Sequence, residues 1–258
     1  GGREALAQMP APAKVKRALL ETLSRSDCTE QVLLAQSQSA KKALAELRSA
    51  EWVESYQLSP QASTRRFVEK FALSAEQLQA LQYIERAGPG YGVFLLHGIT
   101  GSGKTEIYLR LIARALAKGG QTLVLVPEIS LTPRLEQEFR ERFPDTPLVS
   151  LHSGLADSER TRHWLQAQSG EAAIVLGTRL AVFAPLPKLA LIVVDEEQDA
   201  SFKQQDGVRY SARDVAVFRA HQAGIPIVLG SATPALETYA HTLSGRYRLL
   251  QLSQRAVP

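Results

Sequence analysis

The rhythm of apolar residues changes near residue 73. Before it, apolar positions recur at helical spacing: Val15, Leu19 and Leu23, then Val32, Leu33 and Leu34, then Ala43, Leu44 and Leu47. This predicts three short helices, with Ser26 or Asp27 capping the second and Ser39 the third. Trp52-Val53-Glu54-Ser55-Tyr56 then alternates and predicts a strand. After residue 73, helical stretches at 74–87, 103–118, 131–143 and 157–168 alternate with apolar runs. Those runs are Val93–Leu96, Thr122–Val126, Leu148–Leu151, Ala173–Leu176, Leu191–Val194 and Ile225–Leu229. Strands alternating with helices predict an α/β fold built on a parallel sheet with helices on both faces. The runs are continuously apolar, as expected of strands covered on both sides.

This pattern divides the chain into a disordered lead-in over 1–13, a small helical module over 14–58, a polar linker over 59–72 and an α/β domain over 73–258. Three helices and a strand, with Lys41, Lys42 and Arg48 on or near the third helix, suit a winged-helix DNA-binding domain. A plain helical packing module fits the same pattern.

Composition narrows the class. The chain has 258 residues, 45% hydrophobic and 22% charged, which excludes a disordered tail, a collagen and a disulfide scaffold. The single cysteine, Cys28, makes neither an internal disulfide nor a cysteine-rich zinc site, and points to a cytoplasmic protein. No apolar run approaches the roughly 18 residues of a membrane span, so no membrane is expected as a partner. The net charge of +4 lies mostly in the first 72 residues and permits nucleic-acid binding without requiring it. The chain opens Gly1-Gly2-Arg3 without an initiator Met, so it is expected to be a piece of a longer protein.

Chemistry enters at Gly98-Ile99-Thr100-Gly101-Ser102-Gly103-Lys104-Thr105, a full G-x-x-x-x-G-K-[ST] match between an apolar strand and a helix-forming run. Here glycines let backbone N–H groups converge on phosphate oxygens, and the helix N-terminus adds positive potential. Lys104 then reaches the β- and γ-phosphates, and Thr105 offers its hydroxyl to Mg²⁺. Gly98, Thr100, Gly101, Ser102, Gly103, Lys104 and Thr105 are thus the predicted ATP-binding set. About ninety residues on, the run Leu191–Val194 ends in Asp195-Glu196-Glu197-Gln198. Carboxylates at the C-terminal edge of such a strand face the same crevice. Asp195 would hold Mg²⁺ and Glu196 would polarise the attacking water; a solvated strand end is the plainer alternative. Gly230-Ser231-Ala232-Thr233-Pro234 follows the last apolar run, either as a simple turn or as a relay through the hydroxyls of Ser231 and Thr233.

These motifs, in this order and spacing, resemble those of superfamily 2 helicases, and most closely the primosomal replication-restart helicases of bacteria. The resemblance also rests on Val126-Pro127-Glu128-Ile129-Ser130-Leu131-Thr132, Leu151-His152-Ser153-Gly154-Leu155, Gly177-Thr178-Arg179, Lys203-Gln204-Gln205, Ala212-Arg213-Asp214 and the run from Gly230 to Thr238. It covers 73–258 strongly and 14–56 more weakly, where that family carries a winged-helix domain.

The resemblance implies a RecA-like P-loop NTPase lobe preceded by a winged helix. It implies Gln77 on the adenine base and Gln198, with Lys104, Asp195 and Glu196, in catalysis. It places Thr132, Thr178 and Arg179 among segments lining single-stranded DNA, with Phe202, Lys203, Arg209 and Tyr210 in an aromatic-rich loop. That loop links DNA occupancy to hydrolysis, and Ser231 and Thr233 couple the two. Two departures stand out: Gln198 occupies a position usually held by His, and Val208 one often held by an aromatic residue. Gln donates and accepts hydrogen bonds but does not titrate near neutral pH.

The expected activity is ATP-dependent 3′–5′ unwinding during restart of stalled forks. Branched and single-stranded DNA, a single-strand DNA-binding protein and primosome proteins are the implied partners. A second lobe with its arginine finger, and the zinc-binding cysteines, fall outside this sequence, so the chain alone is expected to be weakly active or inactive. Three other readings fit the residues. They are a superfamily 2 translocase that does not unwind, a DNA-binding module with a vestigial nucleotide site, and a P-loop transporter or kinase.

Overall fold

The computed structural model describes residues 13–25, 28, 30–35, 37, 39–55, 66–88 and 90–256. The chain divides into two compact units, Gly1–Gln61 and Ala62–Pro258.

The first unit contains helices α1 (Lys14–Arg25), α2 (Glu30–Leu34) and α3 (Ala40–Ser49). Leu19, Leu20, Leu33, Ala43, Leu44 and Leu47 form its core, with Val15 and Leu23 packed against it, so the helical spacing holds. Lys16–Glu46 and Arg48–Glu30 ion pairs join the helices at the surface. Ser39 stands at the α3 N-cap without a side-chain cap bond. Ser26, Asp27, Tyr56 and most of the lead-in lie outside the described residues.

The strand expected from Trp52 is absent among the described residues. The chain instead closes α3 with a left-handed Glu51 (φ 57°), Glu51 N–H donating to Arg48 O and Trp52 N–H to Leu47 O at 3.0 Å each. This is a helix-ending motif that satisfies the last carbonyls, and it uses up the residues that looked like a strand start.

The second unit is built on a seven-stranded, all-parallel sheet. Its strands are β1 (Gly92–Gly98), β2 (Gln121–Leu125), β3 (Leu148–Leu151), β4 (Ile174–Gly177), β5 (Leu189–Val194), β8 (Pro226–Ser231) and β9 (Arg248–Leu252), with β6 (Lys203–Gln204) and β7 (Tyr210–Ser211) forming a separate antiparallel hairpin. The sheet order is β3-β4-β2-β5-β8-β1-β9. Its helices are α4 (Ala75–Arg86), α5 (Lys104–Ala117), α6 (Pro133–Arg142), α7 (Asp157–Ser169), α8 (Ala212–Ala223) and α9 (Leu236–Leu243).

Alternate residues of each strand enter two separate cores. Phe94, Leu96, Val124 and Val193 face α4, α5 and α6, whereas Val93, Leu95, Leu125 and Val194 face the side of α8. Both faces are therefore dry, which is why each strand reads as an unbroken apolar run. The chain runs from β1 past the places of β8 and β5 to β2 and β3, then reverses through β4, β5 and β8 to β9 beyond β1. That opens a crevice at the C-terminal strand ends, where ligands of such sheets bind.

Part of the predicted linker is fastened to this unit. Arg142 donates to Val68 O at 2.6 Å and pairs bidentately with Glu106 at 2.6 and 2.8 Å, while Arg110 donates to Phe71 O at 2.8 Å. Residues 66–72 have no regular structure but belong to the second unit rather than to a free connection. Residues 59–65 lie outside the described residues.

Candidate active site

The phosphate loop leaves the end of β1 and enters α5. A turn from Ile99 O to Ser102 N–H (3.0 Å) folds it back, with Gly101 and Gly103 left-handed at φ 79° and 78°. The space beside Gly101 is open, so backbone and ligand can approach there. Lys104 is 8% exposed; its Nζ donates to Gly98 O at 2.9 Å and lies 4.0 Å from Glu196 Oε1. The Lys104 and Thr105 amides open α5, ahead of the Glu106 N–H that donates back to Gly103 O at 3.1 Å. An ammonium, the Thr105 hydroxyl and these amides thus share one helix end, a donor set that fits a triphosphate.

At the end of β5 the carboxylates diverge. Asp195 N–H extends the ladder to Leu125 O (2.9 Å), Glu196 is left-handed at φ 47°, and Glu197 N–H turns back to Gly230 O (3.0 Å). Asp195 Oδ1 accepts from the buried Tyr108 hydroxyl at 3.0 Å. Burial pushes the Asp195 carboxyl above its ordinary value, the Tyr108 hydrogen bond opposes this, and the neighbouring Glu196 charge adds to the rise. Burial and then the Asp195 charge push the Tyr108 phenol far up, so it stays a donor. Among the described residues no three His, Cys, Asp or Glu are grouped to hold a metal by themselves. Thr105 and Asp195 suit instead a Mg²⁺ that is held largely by phosphate and water.

Glu196 is linked onward. Its Oε2 accepts from Gln198 Nε2 at 2.9 Å, Gln198 Oε1 accepts from Ser231 Oγ at 2.6 Å, and Ser231 Oγ accepts from Thr233 N–H at 2.9 Å. Lys104, Glu196, Gln198, Ser231 and Thr233, from three separate segments, thus form one line of contacts. Gln198 uses both ends of its amide to make it.

Glu197 faces the other way and is buried. It accepts from Ala235 N–H at 2.8 Å, Thr238 Oγ1 at 2.7 Å and Arg213 Nη1 at 3.1 Å. Tyr108 was not legible as a partner of Asp195, nor Arg213 and Thr238 as partners of Glu197. Arg213 and Thr238 lie in quoted motifs and Tyr108 three residues after the phosphate loop, but no spacing signals the pairing.

The other predicted residues follow strand ends on the same edge of the sheet. Thr132 caps α6 by accepting from Leu135 N–H at 3.3 Å, and Pro127 and Glu128 lie just after β2. Thr178 is buried after β4. Arg179 Nη1 donates to Ser201 O (3.3 Å) and Lys203 O (3.1 Å), which ties this segment to the start of the aromatic-rich loop. Phe202 is 1% exposed and sits in the core on the α8 side of the sheet, so its ring anchors the loop and presents no face for stacking. Tyr210 packs edge-on against Phe183, with centroids 5.0 Å apart. Lys203, Val208 and Arg209 are exposed. Gln77 lies apart from this line, under the phosphate loop, its Nε2 donating to Ser102 O at 2.9 Å.

The DEAD/DEAH box helicase family model matches residues 74–242. Replication restart protein PriA of Bacillus subtilis is 47% identical over 189 residues, 72% of this chain and 23% of that protein. PriA of Haemophilus influenzae is 50% identical over 167 residues, 65% of this chain and again 23% of that protein. The chain thus spans about a quarter of the length of these curated relatives. The structure of RecG bound to a three-way DNA junction shares the fold, with a TM-score of 0.55 at 22% identity, covering 74% of this chain and 25% of RecG. The chain belongs to the DEAD/DEAH box helicase family, in superfamily 2, and is of the PriA type.

Proposed function

We propose that this chain is the first motor lobe, with a preceding DNA-binding module, of an ATP-dependent 3′–5′ DNA helicase that restarts stalled replication forks. The observation that carries this reading is the contact line from Lys104 through Glu196 and Gln198 to Ser231, which joins the phosphate loop to two further strand ends. In this reading Lys104 neutralises charge on the β- and γ-phosphates. Glu196 takes a proton from the water that attacks the γ-phosphorus in line, and ADP leaves on the opposite side. Thr105 and Asp195 would hold Mg²⁺, which would supply further charge neutralisation for the phosphate. Gln198 and Ser231 relay the state of that site to Thr233.

DNA would run along the shared edge of the sheet past Thr132, Thr178, Lys203, Arg209 and Tyr210, through backbone and phosphate contacts that are salt-dependent. Residues 14–58 are proposed as a winged-helix module. The three-helix core and the exposed Lys41 and Lys42 on α3 support this, although no wing strand stands among the described residues. Forked DNA, a single-strand DNA-binding protein and primosome proteins are the proposed partners, and the cytoplasm the proposed location.

The test is ATP hydrolysis by the longer natural protein with and without forked DNA, beside Glu196→Gln. Forked DNA should stimulate the wild type. The variant should keep nucleotide binding and lose hydrolysis by about 10²–10⁴-fold. The 258-residue chain alone should hydrolyse slowly, because an arginine supplied from a second lobe contributes orders of magnitude in rate. A Glu196→Gln protein as active as the wild type would overturn the assignment.

A further inference from the structure

Arg219, on α8, is a half-buried cation without an acid. Its Nη1 donates to Val182 O, and its Nη2 donates to Ala184 O at 3.0 Å. Burial lowers its basicity, and no neighbouring charge among the described residues offsets this. The two carbonyls it takes lie at the end of the 3₁₀ turn Arg179–Phe183. A helix end leaves its last carbonyls open, and both Val182 and Ala184 are fully buried, so Arg219 supplies donors where water does not reach.

The rest of that turn is fastened to the aromatic-rich loop. Arg179 Nη1 donates to Ser201 O at 3.3 Å and to Lys203 O at 3.1 Å, where the loop starts. The Phe183 ring packs on Tyr210, where the loop ends. Helix α8 begins directly after Tyr210 and Ser211, so Arg219 stands on the continuation of the same loop. The turn is therefore gripped at the start of the loop, at its end and on the helix beyond. From the start of the loop the bonds continue inward: Ser201 N–H donates to Asp199 Oδ1 at 2.8 Å, and Asp199 N–H to Glu196 O at 2.8 Å. The segments that follow β4 and β5 are thus joined, and the joint ends on the backbone of the carboxylate that faces Lys104.

We infer that Arg219 is a positioning residue that sets the turn 179–183 against the aromatic-rich loop, so that DNA on this edge of the sheet meets Thr178, Arg179 and Lys203 as one surface. The inference rests on the DNA-motor reading of that edge and adds to it a residue that acts only through other groups. The role calls for a guanidinium, whose planar fork spans two carbonyls; an ammonium is a point donor. Without the fork the turn is free to shift against the loop, and the loss falls on the response to DNA. The nucleotide contacts at Lys104 and Thr105 belong to a different strand end and are spared.

The test measures ATP hydrolysis by the longer natural protein, titrated with single-stranded DNA, for the wild type, Arg219→Lys and Arg219→Met. Melting curves read folding. Both variants should need more DNA for half-maximal stimulation, Arg219→Met by about tenfold and Arg219→Lys by less. Hydrolysis without DNA and the KM for ATP should stay at their wild-type values. Arg219→Lys keeps the charge, so it separates positioning from simple attraction of DNA, and it decides the matter if Arg219→Met does not fold. A wild-type DNA titration for Arg219→Lys, or an equal fall in hydrolysis without DNA, would overturn the inference and leave the motor reading standing. Failure of both variants to fold would do the same, by making Arg219 a general support of the domain. A wild-type protein that DNA does not stimulate would overturn the motor reading itself.

Discussion

Gly230 shows how little room the site leaves. A methyl group there would lie 1.5 Å from the Tyr108 hydroxyl and 3.1 Å from Asp195 Oδ1. Gly230→Ala is therefore expected to force the tyrosine off the carboxylate and to cost about 1–3 kcal/mol of stability by overpacking, measured by urea unfolding. At this scale the sequence displayed the groups whose chemistry depends on local order. The phosphate loop, Asp195, Glu196 and Ser231 fall where short-range spacing places them. It hid the groups that act through distant partners. Tyr108 meets Asp195 across 87 positions, and no periodicity encodes that. Phe202 was misjudged for the same reason: an aromatic in a polar loop looks available until the core beneath the loop is known.

Between elements, one buried cluster ties a strand end to two helices. Glu197 at the end of β5 binds Arg213 in the first turn of α8 and Thr238 in α9. Burial alone would lower the Arg213 basicity, but the hydrogen bonds and charges of Asp214 and Glu197 outweigh it and hold the guanidinium charged. Arg213→Ala leaves a fully buried carboxylate unpaired and should cost about 3–5 kcal/mol, read by denaturant unfolding; replacing both partners with apolar residues should cost less. A loss no larger for the single change than for the double would contradict this. Sheet strands were legible because each is apolar on both faces. Helix α8 was not, because its fully buried apolar positions are the small alanines 212, 216 and 220, Val215 and Val217 are only partly covered, and its one large ring, Phe218, faces solvent. Strand β9 was missed as well: Gln251 is exposed between the buried Leu250 and Leu252, and the strand lies at the sheet edge.

Across the whole second unit, Glu76 joins positions 177 apart in sequence through Ser253. The Ser253 hydroxyl bond above all holds its carboxyl below the ordinary 4.5; burial opposes this, and the backbone amides of Gln254 and Ser253 add to the lowering. A depressed carboxylate contributes stability above its unfolded value and loses it as pH falls through the folded one. The clasp should therefore be intact near neutrality and open in the acid range below the usual glutamate value. The NMR shift of the Ser253 amide should titrate there, and Glu76→Gln should abolish that titration; a midpoint at or above 4.5 would contradict the assignment.

His97 and Ser231 stand opposite each other in the ladder between β1 and β8, His97 being one residue short of Gly98. A parallel ladder of evenly spaced bonds does not slide by a fraction of a step without breaking them. A tug on the chain beyond Ser231 is therefore expected to arrive at the phosphate loop as backbone displacement rather than as rotamer change: the two are geared together rather than sprung.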